Sequence, residues 1–137
     1  MITGQRAVSD ILTMLKQTVL PANVNGKIYR AGTRPRGSEK EDITVAFTTA
    51  DAEQFQTGVV TVNVFVPDLA GVMGDGTWME DSARCEALEQ IAKESIEEMK
   101  AMHSNYLLSL QNAIYTQREE SIHQSIVVIR IRFKYID

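Results

Sequence analysis

The sequence predicts an α+β fold: two helices packed on a mostly antiparallel sheet of about five strands, in the order α-β-β-β-α-β-β. Two patterns support this. Two segments carry apolar residues at every third or fourth position, which is the spacing of one helix face. Other segments alternate apolar and polar residues, as strands with one buried face do. The chain has 137 residues, a length that favours one domain over residues 1–137.

The first helix is predicted over residues 4–20. Its apolar positions share one face and are Val8, Ile11, Leu12, Leu15 and Val19. Pro21 is expected to end it, because proline has no amide hydrogen to donate. The dipeptide Asn25-Gly26 predicts a turn, and a short strand is expected over residues 27–31.

Two central strands are predicted over residues 42–49 and 58–66. The polar segment 32–41, which contains Gly and Pro, is predicted as an exposed, mobile loop before the first of them. One face of the second strand carries Val60, Val62, Val64 and Val66. Its other face carries Val59, Thr61, Asn63 and Phe65. Since that second face is partly apolar, it is expected to meet another layer or a partner subunit.

The long helix is predicted over residues 78–103, after a glycine-rich loop at 68–76. Thr77 and Glu80 match a capping box, in which each side chain bonds a free amide at the helix start. Its predicted buried stripe is Leu88, Ile91, Ala92, Ser95, Met99 and Met102. Its other side, typical of a solvated face, carries Glu86, Glu89, Lys93, Glu94, Glu97, Glu98 and Lys100.

A closing hairpin is predicted from strands at 105–116 and 123–136. Alternation in the last strand places Arg130, Arg132 and Lys134 on one sheet face. Two interpretations stay open. The row is a wet or edge-protecting strand, or it contacts an acidic neighbouring subunit or nucleic acid. The net charge of −4 favours the first, because binding to nucleic acid needs a basic surface.

No motif for catalysis, metal binding or a cofactor is predicted. His103 has a structural explanation at the end of the long helix, where the dipole favours a cation, and neither it nor His123 lies near a nucleophile motif. Cys85 is expected to be a packing residue or an inert thiol, because nearby carboxylates disfavour the thiolate. The segment 71–76 lacks the ligands of a calcium loop and the Lys-Ser/Thr of a phosphate loop.

Composition adds two expectations. A single cysteine cannot form an intrachain disulfide. The first residues lack the pattern of a secretory signal, and no apolar run reaches the roughly 20 residues needed to cross a bilayer. Synthesis and folding in the cytoplasm are therefore expected.

The residues predicted to make contacts are large or charged groups in loops or on the second sheet face. Loop residues on a rigid scaffold often carry binding function. Trp78 is predicted either as a packing anchor at the helix start or as an interface anchor, because Trp is enriched at interfaces. The full set is Arg34, Arg36, Phe65, Trp78, Arg130 and Arg132.

Several phrases of the chain resemble small phage and prophage proteins of the tail-completion or tail-terminator type. They are GKIYRAG at 26–32, Arg34-Pro35, EDITV at 41–45 and GVVTVNVFVPD at 58–68. The order of elements is also similar, and the resemblance covers most of the chain. It rests on element order and one strand phrase, without a fixed site motif, so no functional residue is carried over.

The resemblance implies a structural protein of the virion tail or neck, assembled in the bacterial cytoplasm. Copies of the chain form a ring, often a hexamer, that caps the tail tube and joins it to neck or connector proteins. DNA would contact it only by passing through the ring. No catalysis and no cofactor are implied. The loops at 34–41 and 68–76 are contact elements in this hypothesis, and a different neck component is a close variant of it.

A different class of function stays open from the residues alone. The chain could be a small enzyme or ligand-binding domain. Its pocket would then lie between the long helix and the sheet, near His103, Trp78 and Tyr106.

Overall fold

A computed structural model describes residues 2–51, 56–70 and 76–136. The helices are α1 (Gly4–Leu15), α2 (Val19–Ala22) and α3 (Ser82–Ala101), with a short 3-10 helix at Glu120–Ile122. The strands are β1 (Ile28–Arg30), β2 (Ile43–Asp51), β3 (Gln56–Pro67), β4 (Leu69–Ala70), β5 (Trp78–Met79), β6 (Tyr106–Leu110), β7 (Tyr115–Glu119) and β8 (Gln124–Tyr135). The fold is α+β, as predicted.

The main sheet has the strand order β1-β2-β3-β8-β6, with β7 also paired to β8. Because β3 pairs with the whole length of β8, β6 and β7 lie end to end along its other side. The predicted strand 105–116 is therefore two short strands. All neighbours are antiparallel except β1 and β2, which are parallel. Parallel neighbours need a crossover connection, and residues 31–42 supply it.

Both long helices pack on one face of the sheet. Alternation in β3 places Val60, Val62, Val64 and Val66 in the core, as predicted, and all are at most 1% exposed. The matching residues of β8 are Val127, Ile129, Ile131 and Phe133. The helices contribute Ile11 and Leu15 from α1, and Leu88, Ala92, Ile96 and Met99 from α3. One continuous apolar core thus fills the space between the helices and the sheet.

The first helix ends earlier than predicted. It stops at Leu15, and Thr18 adopts an extended conformation. The short helix α2 then follows and contains Pro21. Proline is tolerated there because the first turn of a helix has no amide bonds to lose. The start of α2 is held by α3, since the Leu20 amide donates to Ser95 Oγ at 3.1 Å. A tertiary contact therefore sets this boundary.

The predicted start of the long helix, with its capping box, is wrong. Trp78 and Met79 form β5, which pairs with β4 as a separate two-stranded ribbon. The helix instead begins at Ser82 after Asp81, whose carboxylate accepts from the Arg84 amide at 3.2 Å. It ends at Ala101, so His103 lies exposed beyond it. The predicted glycine-rich loop falls mostly on residues 71–75, which lie outside the described residues.

The position of the cap gives a test of the start of α3. Asp81→Ala is expected to lower the free energy of unfolding by about 1 kcal/mol, because an orphan amide of the helix loses its acceptor. Asp81→Asn is the matched control and should cost far less, since Asn caps equally well. Urea denaturation of the three proteins measures both values. Equal losses for the two variants would contradict the assignment of Asp81 as the cap.

Candidate functional site

The sheet face turned away from α1 and α3 is here called the open face. No helix of the described residues packs on it. In each strand, the residues that alternate with the core residues point toward the open face, because successive side chains of a strand lie on opposite sides of the sheet. In the register of the sheet, Asn63 lies between Thr44 and Val128, while Phe65 lies beside Ile126. The open face thus carries apolar and small polar side chains at its centre, as the sequence predicts for β3.

The crossover segment 31–42 covers one end of the open face through Arg34. Its guanidinium carbon lies 3.8 Å from the centre of the Phe65 ring, a cation–π contact. The Arg34 side chain donates from Nε to Asp42 Oδ2 at 3.0 Å and from Nη2 to Gln124 Oε1 at 3.0 Å. Only 13% of this side chain is exposed. Arg34 and Phe65, both predicted contact residues, are therefore occupied with each other, whereas Arg36 is exposed.

Asp42 is the buried carboxylate that Arg34 neutralises. Burial by itself raises the pKa of Asp42. The hydrogen bonds from Ser38 at 2.5 Å, from the Lys27 amide at 3.1 Å and from Arg34, together with the charge of Arg34, outweigh burial. The pKa of Asp42 therefore lies below its ordinary value of 3.8. This ion pair ties the predicted loop 32–41 to the sheet.

The basic row consists of Arg130, Arg132 and Lys134, and it runs along β8 on the open face. The edge-protecting interpretation of this row is wrong, because β8 is paired on both sides. Arg130 and Arg132 are exposed. Neither side chain forms an ion pair or hydrogen bond with any part of the chain that the structure describes. These two cations are therefore available to a partner.

Apolar side chains border the basic row. Leu107 pairs with Lys134 across the sheet and is 58% exposed, and Ile136 is 46% exposed. Together with Thr57, Ser109 and Arg132, Leu107 lines a shallow depression of about 330 Å³. The surface around the row is thus both basic and apolar.

A second buried ion pair holds the end of β3. The Asp68 side chain is fully buried, and Arg118 binds both of its carboxylate oxygens, with 2.7 Å between Nη2 and Oδ2. Arg118 Nη1 also donates to Ser125 Oγ, which donates to Glu80 Oε1. The hydrogen bonds to Asp68 raise the pKa of Arg118. Arg118 therefore remains charged at neutral pH, and its contact with Asp68 fixes β7 against the segment after β3.

Trp78 lies beside this ion pair on an exposed surface. Its ring stacks on His123 at a centroid distance of 4.3 Å and an angle of 17°. His123 has a φ of 55°, which is uncommon for a residue other than glycine. Trp78 is 43% exposed. The Trp78 patch comprises the exposed apolar residues Trp78 and Ile122, which line one shallow depression together with His123. Trp78 is thus not a packing anchor at the start of α3.

The predicted pocket of the alternative hypothesis is not formed by its three residues. Trp78 stacks on His123, directly before β8, whereas Tyr106 pairs with Tyr135 at the far end of that strand. A strand of twelve residues spans about 36 Å. The Tyr106 hydroxyl donates to Asp10 Oδ2 at 2.5 Å, and His103 is exposed beyond α3. The space between α3 and the sheet is filled by the core.

Cys85 is buried in the core, as expected. Burial, and then the nearby carboxylates of Glu80, Asp81 and Glu89, raise the pKa of its thiol to about 11. The thiol is therefore protonated at neutral pH. Within residues 2–51, 56–70 and 76–136, no cluster of three or more His, Cys, Asp or Glu side chains could hold a metal ion. In the same part of the chain, no helix is long and apolar enough to cross a membrane.

Three partly buried ion pairs were not predicted from the sequence. They are Arg34–Asp42, Arg118–Asp68 and Arg84–Glu41, the last with 2.6 Å between Nε and Oε2. Periodicity does not reveal them, because two of the pairs join distant segments. The one local signal is a carboxylate within two residues of a strand: Glu41 and Asp42 precede β2, and Asp68 follows β3. Each pair holds a connection against the sheet.

Comparisons with known proteins identify no family. No model of a known protein family matches the chain, and no curated protein matches its sequence.

The pKa of Asp42 gives a test of the Arg34 clamp. Asp42→Asn is expected to lower the free energy of unfolding at pH 7 by about 3 kcal/mol, because Arg34 loses its counter-charge in a buried site. A carboxylate with a lowered folded pKa stabilises the protein above its unfolded pKa, and this contribution is lost as pH falls through the folded pKa. The difference between the wild type and the variant should therefore shrink below about pH 4.

Denaturation curves across pH 2–7 measure this difference. The control is Glu97→Gln, which removes an exposed ion pair with Lys100 and should cost less than about 1 kcal/mol. A gap between wild type and Asp42→Asn that stays constant down to the lowest pH would contradict the assigned role of Asp42.

Proposed function

We propose that this chain is a self-associating assembly protein of a phage or prophage tail, of the tail-terminator or tail-completion type. Copies of it form a ring that caps the tail tube and joins it to neck or connector proteins. It acts in the virion, after assembly in the cytoplasm of the bacterial host, and DNA meets it only by passing through the ring. In this role the chain works through its surfaces and carries out no reaction.

The observation that carries the proposal is the open face. A two-layer α+β domain buries one side of its sheet beneath the helices, and here the other side carries the exposed Arg130 and Arg132, with the exposed apolar side chains of Leu107 and Ile136 near them. A face that is both apolar and charged is typical of a surface covered by a partner. The phrases and element order shared with tail-terminator proteins indicate which kind of partner to expect.

A ring also needs contacts along its axis, and the Trp78 patch is suited to them. The patch lies where β3 ends and β8 begins, at one end of the strands, whereas the open face lies along their side. Side surfaces can join neighbouring copies around a ring, and an end surface can face a tube or neck protein. Tryptophan is among the residues that contribute most binding energy at interfaces. We assign the Trp78 patch to the axial partner.

Self-association is the first test of this function. Light scattering coupled to size exclusion, over a wide range of protein concentration, is expected to show a defined oligomer. Negative-stain images should show rings, and the oligomer should bind a tail tube protein encoded beside its gene. A protein that remains monomeric at high concentration and binds no tube protein would overturn the proposal.

Truncation of Trp78 tests the axial assignment. Trp78→Ala is expected to weaken binding to the tube or neck protein by roughly thirtyfold, the effect of losing a central aromatic anchor. The mass of the oligomer should not change, because the patch lies away from the open face. His103→Ala, an exposed substitution near the other end of the strands, is the control and should alter neither property. A change in oligomer mass with unchanged binding to the axial partner would reverse the assignment.

A further inference from the structure

We infer that the depression at the Trp78 patch, here called the Trp78 depression, binds an arginine side chain of the axial partner. This inference rests on the proposed function, which assigns the patch to that partner, and it adds the chemistry by which the partner is held. The guanidinium group stacks on the indole ring of Trp78 and binds the carboxylate of Glu39. Both of these residues are exposed.

Separate segments of the chain meet at the Trp78 depression, which has a volume of about 290 Å³. Trp78 comes from β5, Glu39 from the crossover segment, Asp68 from the position after β3, and Ile122 and His123 from the turn before β8. Small-molecule sites usually occupy roughly 300–1,000 Å³. The depression therefore suits one side chain of a partner better than a cofactor.

Contacts within the chain form the aromatic wall of the depression before any partner binds. His123 covers one face of the Trp78 ring at a centroid distance of 4.3 Å, yet 43% of Trp78 remains exposed. The backbone of His123 is held on both sides. Its amide donates to the Glu120 carbonyl oxygen at 3.1 Å, and its carbonyl oxygen accepts from the Asp68 amide at 3.0 Å. Such prior ordering lowers the entropy cost of binding.

Most polar groups that line the depression are already bonded. Both oxygens of Asp68 bind Arg118, and the side-chain amide of Gln124 bonds to the crossover segment 31–42 through its oxygen and its nitrogen. Glu39 differs from them, because its exposed side chain makes no hydrogen bond or ion pair with any residue that the structure describes. The free group is therefore a carboxylate, and a ligand has to bring hydrogen-bond donors or a positive charge to it.

The chain already holds one arginine between an aromatic ring and a carboxylate. The guanidinium carbon of Arg34 lies 3.8 Å from the centre of the Phe65 ring, while its Nε donates to Asp42. The Trp78 depression presents the same two kinds of group to the solvent, an indole ring and the Glu39 carboxylate. Tryptophan is the best aromatic partner for a cation, and a guanidinium can stack on a ring and bind a carboxylate. An arginine of the partner would complete the same arrangement.

Other kinds of side chain fit this depression less well. An acidic group would face the free carboxylate of Glu39, and Glu119 and Glu120 add negative charge to the turn that carries His123. Lys40 follows Glu39 in the chain, but it does not line the depression. An apolar side chain would remove water from the Glu39 carboxylate without pairing it, which is costly. A guanidinium group satisfies both the ring and the carboxylate.

Titration with short peptides tests the inference, because Trp78 is the only tryptophan of the chain and its fluorescence reports on the depression. The probe is a Gly/Ser peptide with two adjacent arginines. The matched peptide carries citrulline, the neutral isostere of arginine, in their place. The arginine peptide is expected to change the emission saturably, with a dissociation constant on the order of 1 mM. The citrulline peptide should bind at least about tenfold more weakly, because it lacks the charge that strengthens the bond to Glu39.

Three variants locate the site. Glu39→Gln should weaken binding of the arginine peptide about tenfold, because the guanidinium loses its charged acceptor. Glu94→Gln, at an exposed residue of α3, changes the net charge equally and should bind like the wild type. His123→Gly removes the ring that orders Trp78 and should weaken binding about threefold. It should remain folded, because glycine readily adopts the φ of 55° found at His123. Circular dichroism verifies the fold of each variant.

The outcomes separate the inference from the proposed function. Equal binding of the arginine and citrulline peptides, or equal binding by wild type and Glu39→Gln, would overturn the inference and leave the function standing. Absence of any response to the arginine peptide would do the same, as would tighter binding of a peptide with two leucines. A wild type that binds the arginine peptide as expected, but neither self-associates nor binds a tube protein, would overturn the proposed function and retain the arginine site.

Discussion

The pairing of β3 with β8 is the constraint on which the rest of the structure depends. Twelve residues of each strand are in register, from Gln56 opposite Tyr135 to Pro67 opposite Gln124. This ladder presents one unbroken row of Val, Ile and Phe side chains to α1 and α3. A slip by one residue would move that row to the other face and expose it. The burial of these side chains therefore fixes the register, and the register decides which residues reach the open face.

The same register explains why the charges of this chain fall into two classes. Cations near the ends of the strands meet carboxylates on the connections. Each of these pairs is partly buried, and a buried charge without a counter-charge would be costly. Arg34 and Arg118 belong to this class and serve the fold. Arg130 and Arg132 lie farther along β8, where β3 and β6 offer Val59, Thr61 and Ser109 as neighbours. They find no counter-charge in the described residues, so they are available to another molecule.

The sheet face away from the helices is only partly exposed: Val59, Ile126 and Val128 are buried there, whereas Arg130, Arg132 and Leu107 are exposed. Two long helices are enough to cover one side of a sheet of this width, and the crossover 31–42 covers only the end of the other. A third layer supplied by another copy would complete the burial of that face. The proposed assembly role relies on this exposed part of the face and does not need a closed pocket.

The sequence by itself determined the order of the main elements, the core faces of β3 and β8, and the position of the basic row. These features depend on local periodicity, that is, on which types of residue recur two to four positions apart along the chain. The tertiary structure decided the parallel pairing of β1, the division of β6 from β7 and the early end of α1. It also decided the start of α3 and the roles of Arg34, Asp42, Asp68 and Arg118. Most of these features depend on contacts between segments distant in the chain, such as Leu20 with Ser95 or Arg118 with Asp68. Their partners become neighbours only when the sheet has formed.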